Sequence, residues 1–146
     1  MGKRRGGREL ALRCLYSLEI RPTSGFQKRL AELKEDKADK KIIAFALELL
    51  SEVKKNQDYF DRLISRYATN WSLERVAVID RNILRLSLCE MLKGNPEVPP
   101  LVCIDEAIEL AKIYGTEDSY RFINGILNKI KEDLEAGKIA YLQKGP

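Results

Sequence analysis

At 146 residues, with 45% hydrophobic and 33% charged residues, the chain is long enough to bury one core and too apolar for a disordered tail. It has no histidine, which excludes imidazole zinc sites, Ser-His-Asp and Cys-His catalysis, and the Glu-x-x-His ligands of di-iron bundles. The formal +4 is unevenly placed: without Lys3, Arg4, Arg5 and Arg8, the 26 basic residues fall to 22, equal to the 22 acidic ones. No apolar run reaches the ~20 residues of a membrane span and no signal-peptide core follows the basic start, so a cytoplasmic protein without a membrane partner is expected. Cys14, Cys89 and Cys103 are isolated among core-type residues and read as buried free thiols, not as disulfides or metal ligands.

Residues 1–8 are basic, contain glycine and lack apolar anchors, so they read as a flexible basic arm. A helix is predicted from Arg8, with Leu10, Cys14, Leu15 and Leu18 on one face, ending near Ile20 ahead of Pro22. Phe26, Leu30 and Leu33 mark a short amphipathic piece, followed by a mixed-charge connection over 34–41. Asp39 to Lys55 is a strong helix with Ile42, Ile43, Ala46, Leu47, Leu50 and Val53 inside. Asn56 is placed to cap another, in which Tyr59, Phe60, Leu63, Ile64 and Tyr67 recur. Ser72 is the expected N-cap of the next helix, with Glu74 favoured by its positive end.

From Val76 to Leu92 the apolar residues are too dense for one face. Val76, Ile79, Ile83 and Leu86 form one side, and Leu84, Leu88, Met91 and Leu92 add another, so this helix belongs in the middle of a bundle. Gly94-Asn95-Pro96 ends it and Pro99-Pro100 opens the next. That helix carries Val102, Ala107, Ile108, Ala111 and Ile113, and stops at Gly115, where a left-handed C-cap is wanted. Thr116, Asp118 and Ser119 all suit the N-cap of the last helix, whose stripe is Phe122, Ile123, Ile126, Leu127, Ile130 and Leu134. Gly125 interrupts the stripe at a cost of about 1 kcal/mol against alanine, so something is expected to approach that backbone; a turn at Asn124-Gly125 is the rival reading. Strand alternation, a phosphate loop and 20–50-residue repeats are absent. The expected fold is all-α: about seven helices in an irregular bundle, as two small helical subdomains (9–69 and 70–146) behind the arm.

Asp105-Glu106-Ala107, Leu110-Ala111-Lys112, Gly115 and Phe122 through Leu127 resemble, in sequence and order, the C-terminal signature of the NusB family of bacterial transcription antitermination factors. Arg4-Arg5, Arg8-Glu9 and Leu15-Tyr16 are similar to its arginine-rich opening. Asp80-Arg81, Ile83-Leu84-Arg85 and Glu90 are similar to its long core helix. Gly6-Gly7 interrupt the arginine cluster, Asp105 stands where the family usually has Asn, and Asn128 where Asp is common. The resemblance covers nearly the whole chain and implies a non-enzymatic RNA-binding protein without cofactors. With the ribosomal protein NusE it would bind boxA RNA of ribosomal RNA operons and help RNA polymerase pass terminators. Other Nus factors and RNA polymerase would be indirect partners, and some members form homodimers.

A tail with four cations can follow a phosphate backbone and release counterions, which makes Lys3, Arg4, Arg5 and Arg8 the candidate phosphate contacts. Four single-stranded contacts give a slope of roughly −3 in log affinity against log salt. Base selectivity needs a rigid surface, for which Tyr16 and Phe122 are candidate stacking platforms or, equally, core residues of their stripes. Asp118 and Ser119 can read base edges or cap their helix. The resemblance places these residues in the family's RNA-binding region. Glu74, Asp80, Arg81, Val98, Pro99 and Pro100 form the expected surface for a basic partner such as NusE, and Asp80 and Arg81 read equally as a solvated polar face. Two other classes stay open. One is an accessory RNA-recognition domain like those fused to ribosomal RNA cytosine methyltransferases, and the other a helical scaffold that homodimerises without RNA.

Overall fold

The structure, a computed structural model, describes residues 2–21, 39–69 and 72–142. Its elements are α1 (Gly2–Ile20), α2 (Lys40–Tyr67), a 3-10 turn (Leu73–Arg75), α3 (Val78–Lys93), α4 (Pro100–Tyr114) and α5 (Glu117–Glu135). The fold is all-α as expected, with five α-helices among the described residues instead of about seven. The pieces expected at 39–55 and 56–67 are one helix: nothing between Lys54 and Asp58 breaks it, and buried Val53 is followed at i+7 by buried Phe60. The Phe26 to Leu33 piece lies outside the described residues. The chain divides into two compact units, Met1–Lys55 and Asn56–Pro146, a division that falls within α2.

In the first unit α1 begins at Gly2, six residues before the expected start, so residues 2–8 are helix and not a loose arm. The reason is non-local. A Cβ on Gly7 would lie 2.7 Å from Cδ2 of Phe45 and 3.2 Å from the Ile42 carbonyl oxygen, and one on Gly6 would lie 3.1 Å from Cδ1 of Ile42. The two glycines therefore let the α1 backbone seat directly on α2, which supplies the apolar anchoring that residues 2–8 lack. Lys3 pairs with Asp39 at 3.4 Å, and the N–H of Lys41 donates to the same carboxylate at 2.8 Å. That backbone donation, with Lys3 assisting, holds Asp39 below the usual carboxylate range. Ala11, Leu12, Cys14 and Leu15 from α1 and Ile43, Ala46, Leu49, Leu50 and Val53 from α2 are buried.

In the second unit α3 is central: every residue from Asn82 to Leu92 is buried. α3, α4 and α5 pack pairwise on one another. Cys103, Ile104, Ala107, Leu110 and Ala111 are the buried side of α4, and Ile123, Ile126, Leu127, Ile130 and Leu134 that of α5. All three cysteines are free and buried, as their neighbours indicated. α3 starts later than expected, since Ser72 precedes the 3-10 turn, makes no side-chain cap bond, and is followed by Val76, extended and buried. Gly94 ends α3 in the left-handed region (φ 73°), Pro99 caps α4, and Pro100 takes its first position. After α5 the chain turns at Gly137 (φ 77°) and returns to α3, where the Leu142 N–H donates to the Leu92 carbonyl at 2.7 Å.

Candidate nucleic-acid interface

The first unit presents its cations on the opening turns of α1. Lys3 and Arg5 are exposed and Arg4 is half-buried. Arg8 departs from the expectation of a solvent-facing cation. Only 4% of it is accessible, and its guanidinium carbon sits over the Phe45 ring, 5.6 Å from the centroid. Aromatic contact of this kind holds the arginine as a packing element. Tyr16 is 40% exposed, which removes the reading of it as a core residue. Arg13, absent from the sequence candidates, is also exposed. It falls eight residues after Arg5 and three before Tyr16, on one helical face. Its spacing was the available signal.

In the second unit the start of α5 is built by a capping box. The Thr116 N–H donates to Oγ of Ser119 at 2.9 Å, with the two hydroxyls 3.2 Å apart. Thr116 is thus the cap, and Asp118 is an exposed first-turn acid suited to the positive helix end. Gly115 is extended (φ −101°, ψ −162°), not left-handed as expected. Glycine is needed there because a Cβ would lie 2.7 Å from Oγ of Ser119. Ser119 itself is buried.

Asp80 stands at the start of α3 with 9% of its surface accessible, and its Oδ1 is buried without a hydrogen-bond partner. Burial pushes its carboxyl above the usual range, against the opposing pull of Ser119. Asp80, Asp118, half-buried Phe122 and Arg75 border a recess of about 400 Å³. One aromatic wall, two carboxylates and a guanidinium offer an unstacked base a stacking face with both donors and acceptors.

The remaining partner candidates divide by exposure. Glu74 and Pro99 are exposed, and Pro100 is half-buried. Arg81 is half-buried and its Nη1 donates to the carbonyls of Leu73 at 3.3 Å and Val76 at 3.5 Å, tying the 3-10 turn to α3. Val98 is a core residue, 5% accessible, and Asp80 is largely enclosed, so neither is the surface residue that the sequence suggested. Gly125 also departs: α5 runs unbroken through it, which removes the turn reading, and among the described residues nothing beyond its chain neighbours and the surrounding α5 backbone lies within 4 Å of where its Cβ would be. Among the described residues, no helix is long and apolar enough to cross a membrane.

Fold and charge together define a class: a small all-α protein that displays cations on its leading helix and an aromatic, acidic recess beside its last one. The NusB family model matches residues 5–132. The transcription antitermination protein NusB of Elusimicrobium minutum is 44% identical over 141 residues, covering 94% of this chain and 99% of that protein. The structure of T. maritima NusB superposes with a TM-score of 0.80 at 40% identity, covering 93% of this chain and 97% of that one. A chain from the crystal structure of antitermination factors NusB and NusE in complex with dsRNA gives a TM-score of 0.73 at 26% identity, covering 90% and 98%. This chain belongs to the NusB family of transcription antitermination proteins.

Proposed function

We propose that this chain acts as an RNA-binding antitermination factor that, with NusE, binds boxA RNA of ribosomal RNA operons and helps RNA polymerase pass terminators. The observation that carries the reading is the cationic opening of α1, within a chain that matches the family over residues 5–132. Lys3, Arg4 and Arg5 supply sequence-tolerant attraction to phosphates, and Tyr16 a stacking face beside them. In the second unit Asp118 and Phe122 read and stack a base at the recess. Ser119 acts there by fixing the α5 start through its bond to Thr116, not by direct contact. Glu74, Arg81, Pro99 and Pro100 meet NusE, whose basic character suits Glu74. The protein works in the cytoplasm without catalysing a reaction, and reaches other Nus factors and RNA polymerase through the complex.

Each contribution is modest alone, so recognition is additive. Titration of boxA-like and scrambled RNA, with and without NusE, is expected to show preference for boxA and a marked gain with NusE. Equal affinity in all four arms overturns the reading. A homodimer is the second reading, favoured by Leu101 and Ile113, large apolar residues exposed on α4. Size-exclusion chromatography with RNA added separates the two, since a dimer that uses this surface without binding RNA elutes unchanged.

A further inference from the structure

Gly125 lies in the middle of α5 and is exposed. Its φ is not positive, so any residue could adopt its backbone, and its Cβ position is open space. Among the described residues nothing requires the weakest helix former after proline at this position. The space above it is a groove of about 220 Å³ between α5 and the end of α2, bordered by Tyr67, Ala68, Arg121, Phe122 and Lys129. Arg121 and Lys129 stand one turn to either side of Gly125 on the same helical face, about 12 Å apart along the axis. Both are exposed, and Arg121 is steadied by Tyr120, its Nε 3.5 Å from the phenol oxygen. The Tyr67 hydroxyl donates to Asp133, which fixes that ring and engages the carboxylate one turn beyond Lys129. Two cations thus flank an unobstructed strip of helix backbone with aromatic sides.

We propose that this groove carries the sugar–phosphate backbone of single-stranded RNA, which passes against α5 at Gly125 with phosphates held by Arg121 and Lys129. The inference rests on the RNA-binding reading above and extends the contact surface beyond the recess at Asp118 along α5. Charge decides the occupant: anionic groups gain from both flanking cations, whereas an apolar side chain of a protein partner would have no use for them. Absence of a Cβ sets the distance, because only a bare helix backbone lets a bulky strand come that close.

The test uses the full chain, with Gly125→Ala, Gly125→Gln and the double variant Arg121→Ala/Lys129→Ala, in melting and in binding of boxA-like RNA over a range of salt, with NusE present and absent. Both Gly125 variants are expected to melt higher, by about 4 °C for alanine, yet to bind RNA at least several-fold more weakly. The double variant is expected to keep its melting temperature, lose about tenfold in affinity, and flatten the salt slope by about 1.4. Gly125 variants that bind RNA as the parent does overturn the inference alone. So does loss of NusE association with RNA affinity unchanged. A parent chain that associates with NusE but binds no RNA removes the functional reading, and this inference with it.

Discussion

Arg85 grips Asp61 through two hydrogen bonds, Nε donating to Oδ1 at 2.8 Å and Nη2 to Oδ2 at 3.0 Å, and so ties α3 to α2 within the second unit. Its Nη1 also donates to Oδ1 of buried Asn82 at 3.0 Å. The side chains are only 7% and 19% accessible, so this is an enclosed ion pair with planar, two-point geometry. Arg85→Ala leaves Asp61 and Asn82 without these donors and is expected to cost about 3 kcal/mol. Arg85→Lys keeps the charge but not the fork, and falls between alanine and the parent. Chemical denaturation measures both, and a loss under about 1 kcal/mol for the alanine variant would contradict the assignment.

Gly7 and Gly125 are both helical, yet alanine should act oppositely at the two. At Gly7 the added methyl meets the Phe45 ring at 2.7 Å and a backbone carbonyl at 3.2 Å. Overpacking of that kind costs about 1–3 kcal/mol and outweighs the ~1 kcal/mol gained in helix propensity. At Gly125 only the gain remains. Melting of the two single variants settles the signs, and stabilisation by Gly7→Ala would show that α1 does not seat on α2 as described.

Arg8 lies under an aromatic contact, which changes the salt arithmetic. With three cations left at the opening of α1, the single-strand slope contributed there is about −2, not −3. Arg8→Ala is expected to lower stability by about 1–2 kcal/mol through lost packing. Removing Lys3, Arg4 and Arg5 together leaves melting nearly unchanged while RNA affinity falls and the slope flattens. The opposite pattern, a silent Arg8 in melting and a large change in slope, would return Arg8 to the RNA surface.

Asp80 gives a pH signature. Burial raises its folded value above the usual 3.8, so the folded state holds the proton more tightly than the unfolded chain. Stability at this site is therefore greatest below the unfolded value and falls as pH rises through the window up to the raised folded value. Asp80→Asn removes the charge that burial penalises, with a side chain of nearly the same shape. The variant is expected to melt higher than the parent at pH 7, with the advantage vanishing by about pH 3.5. A variant that melts lower at pH 7 and matches the parent in acid would show that the ionised carboxylate is stabilising.

Local signals in the sequence determined the helical class, the buried α3, the stops at Gly94 and Gly115, the opening of α4 at Pro99-Pro100 and the stripe of α5, because apolar period and backbone chemistry act over a few residues. They also marked Lys3, Arg4, Arg5, Tyr16, Asp118 and Phe122, whose residue types carry their chemistry wherever they are exposed. Exposure itself was not legible. That Arg8 lies over Phe45, and that Val98 and Asp80 are enclosed, depend on residues distant in sequence. The glycines make the same division. Their positions could be read from the chain, but whether each one admits a neighbouring helix, a cap or an outside strand depends on what tertiary packing places, or leaves unplaced, above it.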